Sequence, residues 1–149
     1  MLIRLMNMDD YDAVFALWRA TPGMGLRAQD DSKEGIGRFL KRNPSSCFVA
    51  EADNEIIGVI LAGHDGRRGY IYHTAVREKY RKQGIGNALI EQVCEALAKE
   101  GISRAGLLVL QTNQTGKVFW MKRGWQERCD LVYFARSVGH CGEDNNQRL

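Results

Sequence analysis

The chain has 149 residues, 44% of them hydrophobic, with two prolines and a formal charge of +3. That is the size and apolar content of one globular domain with a sizeable core rather than two domains. The charge is too small and too scattered to argue for nucleic acid. No apolar run approaches the roughly 20 residues of a membrane helix. The start "MLIRLMNMDD" lacks the blocks of a secretion signal, so a soluble, cytoplasmic protein is expected. The four cysteines, Cys47, Cys94, Cys129 and Cys141, stand at wide, irregular spacings that form no metal-ligand cluster and are expected to be reduced.

In chain order, "LIRL" (2–5) reads as a short strand. Tyr11, Val14, Phe15 and Trp18 follow with the 3.6-residue period of an amphipathic helix. The stretch 21–31, "TPGMGLRAQDD", breaks that helix and is long and polar enough to be a substrate lip. Ser32 and Lys33 then open a second helix carrying Ile36, Phe39 and Leu40. From Cys47 to Val76 the pattern turns to three β-rich runs, punctuated by Asp53-Asn54 and Asp65-Gly66, which predicts an antiparallel meander. A helix is expected from Ile85 to a stop at Gly101, with Ile85, Leu89, Val93, Ala96 and Leu97 on its apolar face. A buried strand is expected over 104–112, a short helix over 115–122, and one bent strand or two short ones over 125–136. A polar, mobile tail is expected at 137–149, after a single domain of residues 1–136. The whole is one α/β (α+β) unit with a mixed sheet.

The chemically informative stretch is "RKQGIGNAL" (81–89), which lies between a strand and a helix. Amides at a helix start have no intrahelical acceptor and sit at the positive end of the helix dipole, so they can converge on a phosphate. Glycines 84 and 86 would let that phosphate approach the backbone. A Walker loop is excluded because no lysine followed by serine or threonine completes the turn. A dinucleotide fingerprint is disfavoured because Leu89 stands where a third glycine or alanine belongs, and a meander precedes the turn.

With Arg81, Gly84 and Gly86, the stretch resembles the Q/R-x-x-G-x-G/A pyrophosphate loop of the GNAT superfamily of N-acetyltransferases. Its flanks add to the resemblance. "HTAV" before it resembles the family's fourth strand. Asn113 with Gly116 and Phe119 resembles the N-x-x-A/G-x-x-[LF]-Y segment. "WMKRGW" (120–125) resembles the Y-x-x-x-G-[FYW] ending. The resemblance covers residues 1 to about 136. It implies a mainly antiparallel, mixed sheet of six or seven strands flanked by about four helices, and acetyl-CoA as co-substrate with no metal.

The resemblance further implies that the fourth and fifth strands splay and admit the pantetheine arm. Backbone groups of Thr74, Ala75 and Val76 would pair with that arm, and the amide near Thr74 would polarise the acetyl carbonyl. Amides of Gln83, Gly84, Ile85, Gly86, Asn87 and Ala88 would cradle the pyrophosphate, with Arg81 and Lys82 adding charge. Lys82 reads equally well as a solvated surface lysine. Asn113 would hold the pantetheine or the phosphate end, and also suits an N-cap. Trp120 departs from the pattern. It stands where many members carry a tyrosine that protonates the leaving thiolate, and an indole N–H cannot do so. It is expected to pack or to touch the pantetheine, leaving Tyr133 or water as the proton source.

For the base, His73 is a candidate by residue type, since free histidine changes charge near neutral pH. In members that keep a base on this strand it lies four or six residues before the terminal valine, at Tyr72 or Tyr70. His73, three before Val76, would point to the other face unless a bulge intervenes. The tyrosine phenols are too weakly acidic to ionise readily and would orient the amine or a water chain. Asp30, Asp31 and Glu34 at the lip would attract a cationic amine, or simply complement a helix dipole. Arg67 and Arg68 read as turn residues or as contacts for an acidic group. The expected activity is acetyl transfer to a primary amine of a small molecule or peptide by direct attack in a ternary complex. A non-catalytic acyl-CoA-binding or sensory domain of the same fold is the alternative. Neither a nucleic-acid nor a membrane partner is expected, and a homodimer is left open.

Overall fold

The computed structural model describes residues 1–139; the rest of the expected tail, 140–149, lies outside the described residues. Among the described residues a five-stranded sheet in sequential order carries four α-helices. β1 (Leu2–Leu5) pairs antiparallel with β2 (Phe48–Ala52), and β2 with β3 (Glu55–His64). β3 pairs antiparallel with β4 (Gly69–Val76), and only the last contact, β4 with β5 (Ala105–Leu107), is parallel.

Turn chemistry sets this meander. Asp53 and Asn54 both adopt positive φ, 52° and 60°, the conformation a tight two-residue hairpin demands. At the β3–β4 turn, Asp65 Oδ1 accepts from the amides of Arg67 and Arg68, each at 2.8 Å. The bonds from the Arg68 and Arg67 amides hold the Asp65 carboxyl below its ordinary pKa. The arginines at this turn thus act here through their backbone.

α1 (Tyr11–Arg19) and α2 (Lys33–Arg42) cover one face of the sheet, and α3 (Ile85–Lys99) covers the other. The central strand β3 is buried along nearly its whole length because its residues feed two cores. Val59 and Leu61 meet Val14, Trp18 and Ile36 on the α1–α2 side. Ile57 and Ile60 meet Ile85, Leu89 and Val93 on the α3 side. The face expected for α3 is the one that is buried, with Ile90 added and Ala96 partly buried. Ser32 Oγ accepts from the Gly35 amide at 3.0 Å, which starts α2 where the sequence places it.

The C-terminal third departs from expectation. β5 is three residues long rather than nine, and only partly buried. α4 (Gln114–Met121) forms one residue earlier than expected. Residues 126–138 form no strand, so the described sheet has five strands, not six or seven. A strand needs a ladder partner, and β5 offers a short edge on which no further strand is paired. Leu131, Val132, Tyr133 and Phe134 are correspondingly 61–89% exposed.

Candidate functional site

The site begins where the sheet stops being continuous. β4 and β5 pair only through Gly69–Ala105, Tyr70–Gly106 and Ile71–Leu107. β4 then runs on to Val76 while β5 ends at Leu107, so the outer edge of residues 72–76 has no strand against it. At the same level the β3–β4 register slips: Ala62 pairs with Ile71, but Ile60 pairs with Thr74. Leu61 therefore faces two residues, Tyr72 and His73, in a β-bulge. The bulge removes the parity objection to His73. Leu61 belongs to the α1–α2 core, and Tyr72 stacks edge-on to Phe39 of α2 while His73 stacks edge-on to Trp18 of α1. Tyr70, tilted against Tyr72 at 4.8 Å, joins the same face. Thr74 and Val76 return to the α3 side, with Ala75 on the α1–α2 side.

Below this gap the chain makes a short 3-10 turn at Glu78–Tyr80 and enters α3. Lys82 (φ 61°) and Gly84 (φ 82°) are both left-handed, and no side chain caps the helix. The first intrahelical bond runs from the Ala88 amide to the Gly84 carbonyl at 3.0 Å, leaving the amides of Ile85, Gly86 and Asn87 without helical acceptors. No heavy atom lies within 4 Å of where a Gly84 side chain would begin, so an anion can reach this backbone. Gly86 also carries a packing role that the motif does not imply. It is buried, and a β-carbon there would come within 3.0 Å of the Phe119 ring; its smallness lets α4 close on α3. Arg81 and Gln83 are exposed. Arg81 Nε donates to the Val76 carbonyl at 2.9 Å and Gln83 Nε2 to the Lys79 carbonyl at 3.2 Å, tying the turn to the strand end. Lys82 is exposed and free to meet an anion or solvent.

Asn113 caps α4, its Oδ1 accepting from the Gly116 amide at 2.9 Å. It also abuts the lip loop, because a β-carbon on Gly23 would lie 2.9 Å from its Nδ2. Trp120 is partly buried between Phe119 and Trp125, with ring centroids 5.2 and 5.1 Å away, which makes it a packing residue at the edge of the α3 core. Arg123 covers the far side of Phe119 at 3.6 Å from the ring centre.

On the opposite side of β4, His73 Nε2 lies 2.6 Å from Asp31 Oδ1. Asp31 is 5% exposed, and its other oxygen accepts from the Arg27 amide at 2.6 Å. The Tyr11 hydroxyl, donating to the Asp31 carbonyl at 2.7 Å, pins the same loop to α1. Asp31 is thus not the free acid at the lip that the sequence suggests, whereas Asp30 remains exposed and Glu34 pairs with Arg38 along α2 at 3.0 Å. Nothing in the sequence separates Asp31 from Asp30; their roles diverge only through burial. Sequence reasoning likewise missed Trp18 and Phe39, since their spacing reads as plain helix core. Burial, with smaller contributions from Tyr133 and Tyr72, pushes the Tyr70 phenol up to about 12. Burial, then Tyr133 and Asp30, raises Tyr72. Tyr133 therefore sits near both, brought there by a segment with no strand of its own.

The arrangement can hold a diphosphate at the α3 start and an extended arm along the free edge of β4, with an ionisable pair across the strand. Comparisons with known proteins give the family. Residues 11–125 match the model of the acetyltransferase (GNAT) family. An acetyltransferase of Pectobacterium atrosepticum is 36% identical over 113 residues, covering 76% of this chain and 79% of that protein. An acetyltransferase of Photorhabdus laumondii is 32% identical over 132 residues, covering 86% and 88%. Among solved structures, the PaiA N-acetyltransferase of Thermoplasma acidophilum in complex with coenzyme A has a TM-score of 0.70 at 21% identity, covering 82% of this chain and 87% of that one. The apo aminoglycoside 6'-N-acetyltransferase AAC(6')-Ig of Acinetobacter haemolyticus has a TM-score of 0.72 at 16% identity, covering 93% and 100%. The chain belongs to the acetyltransferase (GNAT) family and is an acetyl-CoA-dependent acetyltransferase.

Proposed function

We propose that residues 1–136 act as one cytoplasmic catalytic domain that moves an acetyl group from acetyl-CoA to a primary amine of a small molecule or peptide, by direct attack in a ternary complex. The observation that carries this reading is the end of β4–β5 pairing at Ile71–Leu107, set directly above the uncapped start of α3. The free edge of Thr74, Ala75 and Val76 receives the pantetheine amides as a strand would. The amide near Thr74, next to the bulge, donates to the acetyl carbonyl as charge develops on it. Amides between Gln83 and Ala88 take the pyrophosphate, with Lys82 as the mobile counter-charge and Arg81 as the brace of the turn. Asn113 borders the arm beside the lip loop. Trp120 acts through packing beneath it.

The acceptor approaches from the α1–α2 face, past Tyr72, Phe39 and the exposed Asp30, a lining suited to a cationic amine with an apolar stem. His73 takes the proton that the ammonium must lose, and the C–N bond forms as the C–S bond breaks. Tyr133 or water returns a proton to the thiolate, a good leaving group. No helix of the described residues is long and apolar enough to cross a membrane.

The test is calorimetric binding of acetyl-CoA to the wild type and to Gly84→Val, which strains a left-handed residue and fills the space above the turn. Loss of one or two charge-assisted amide bonds predicts at least about tenfold weaker binding, at roughly 1.5–3 kcal/mol each, with circular dichroism unchanged. Equal affinities in a folded variant would reject the donor site. Tight binding without turnover on any amine would instead favour the non-catalytic reading.

A further inference from the structure

We propose that Asp31 is a positioning residue that holds His73 as the Nε2–H tautomer and so makes Nδ1 the basic atom of the reaction, on the reading of the site given above. The assignment follows from hydrogen-bond accounting. The Asp31 carboxylate is buried, one oxygen receives the Arg27 amide at 2.6 Å, and the other lies 2.6 Å from His73 Nε2. An ionised carboxylate only accepts, so Nε2 carries the hydrogen and the lone pair of the neutral ring is on Nδ1. The ring cannot readily rotate out of this choice. Trp18, fully buried, meets it edge-on at 5.0 Å, and the bulge fixes its backbone on the α1–α2 face.

The carboxylate is in turn carried by the lip loop, 42 residues away in sequence and anchored by the Tyr11 hydroxyl. The same loop touches Asn113 through Gly23 on the donor side. One segment therefore sets the tautomer of the base and borders both halves of the cleft, so loop placement and proton transfer are coupled.

The step balances as follows. Nδ1 takes one proton from the ammonium, giving an imidazolium paired with the Asp31 carboxylate and a free amine. The amine lone pair forms the C–N bond to the acetyl carbon, and the C–S pair leaves with sulfur. The second amine proton ends on the thiolate, and the imidazolium returns its proton to solvent. Tyr11 holds the Asp31 carbonyl from α1, and Tyr70 and Tyr72 stand on the same face of β4 as His73.

The test uses the full chain labelled with 15N-histidine. Long-range nitrogen–proton correlation should show neutral His73, identified by the His73→Gln spectrum, as the Nε2–H tautomer. In Asp31→Asn the amide oxygen stays with the Arg27 amide and the NH2 turns toward Nε2, so the signal should change to the Nδ1–H tautomer and kcat should fall. Asp31→Glu should keep the Nε2–H form. An Nδ1–H tautomer in the wild type, which requires no variant to fold, overturns the positioning claim. So does an Asp31→Asn tautomer spectrum identical to wild type. Acetylation of spermidine, kanamycin and a lysyl dipeptide is followed in parallel; the absence of His73-dependent turnover on all three overturns the base assignment. Failure of acetyl-CoA to bind in calorimetry would instead overturn the donor site, independently of the tautomer.

Discussion

The proposed donor and acceptor sides of β4 are built in different ways. On the proposed donor side the groups on offer are backbone amides, at the free edge of residues 74–76 and at the start of α3, and side chains there mostly brace the turn. On the proposed acceptor side they are side chains gathered from β4, α1, α2, the lip loop and the C-terminal segment. A backbone site tolerates variation in almost everything but conformation, whereas a side-chain site depends on the identity and protonation of each member. The two sides should therefore fail independently when perturbed.

The largest effect tests that independence. His73→Gln is expected to reduce kcat/KM by about 10²–10⁴, the usual contribution of a general base, while acetyl-CoA affinity stays within about twofold of wild type. Steady-state kinetics with spermidine and calorimetry on the same preparation check both halves. Gly84→Val should show the converse, weak donor binding with a residual pH profile of wild-type shape. A variant that damages both parameters equally would break the division of the site into two separately built halves.

A smaller effect separates the two glycines of the turn. Gly84 supplies a left-handed backbone at an open surface, and Gly86 supplies room for Phe119. Gly86→Val is expected to destabilise the fold by about 1–3 kcal/mol through overpacking against α4, read as a lower denaturant midpoint. Gly84→Val should cost about 1–2 kcal/mol through backbone strain and act mainly on binding. If Gly86→Val left stability unchanged while abolishing binding, the motif's simpler reading of both glycines as phosphate contacts would be favoured.

This contrast also explains what the sequence could reveal. The meander, its Asp53-Asn54 hairpin, α1 to α3 and the anion turn are local: a few neighbouring residues dictate each through turn chemistry or period. Asn113 was legible as a cap because the bond it makes is three residues away. The His73–Asp31 pair was not legible, since it depends on a bulge that reverses strand parity and on a loop fold that buries one of two adjacent aspartates. The strand expected over 125–136 failed for a related reason. Its apolar residues satisfy local propensity, but pairing is a property of the neighbour, and β5 presents only three residues. The packing demand on the second glycine was not legible, because Phe119, which a side chain there would meet, lies in another element.

The next effect concerns the loop. Tyr11→Phe removes a buried hydroxyl from the Asp31 carbonyl at 2.7 Å and leaves that acceptor without this donor. The expected cost is about 1–2 kcal/mol of stability, read from denaturant unfolding. Its functional effect should fall on the acceptor side alone: a higher amine KM with an unchanged acetyl-CoA dissociation constant. Equal weakening of both ligands would mean that the loop serves the donor as much as the base, through its contact at Gly23 and Asn113.

The smallest effect is expected at Tyr70, and it distinguishes a tyrosine that lines the cleft from one that works as a base. Burial first, then Tyr133 and Tyr72, places its phenol at about 12. Below pH 10 it is neutral in the folded and the unfolded chain alike, so Tyr70→Phe should leave the kcat/KM profile unchanged in shape between pH 6 and pH 9. Its ionisation matters only in alkali. Because the folded pKa is raised above the unfolded value of about 10, the unfolded chain gives up this proton first. The stability contribution is fully present below about pH 10 and is lost as pH rises toward 12. Tyr70→Phe should therefore unfold less steeply than wild type over that interval in a pH series of denaturant melts. A change in the neutral-pH rate profile instead would move the proton-transfer role from His73 to the tyrosine beside it, and with it the boundary between lining and chemistry on this face of β4.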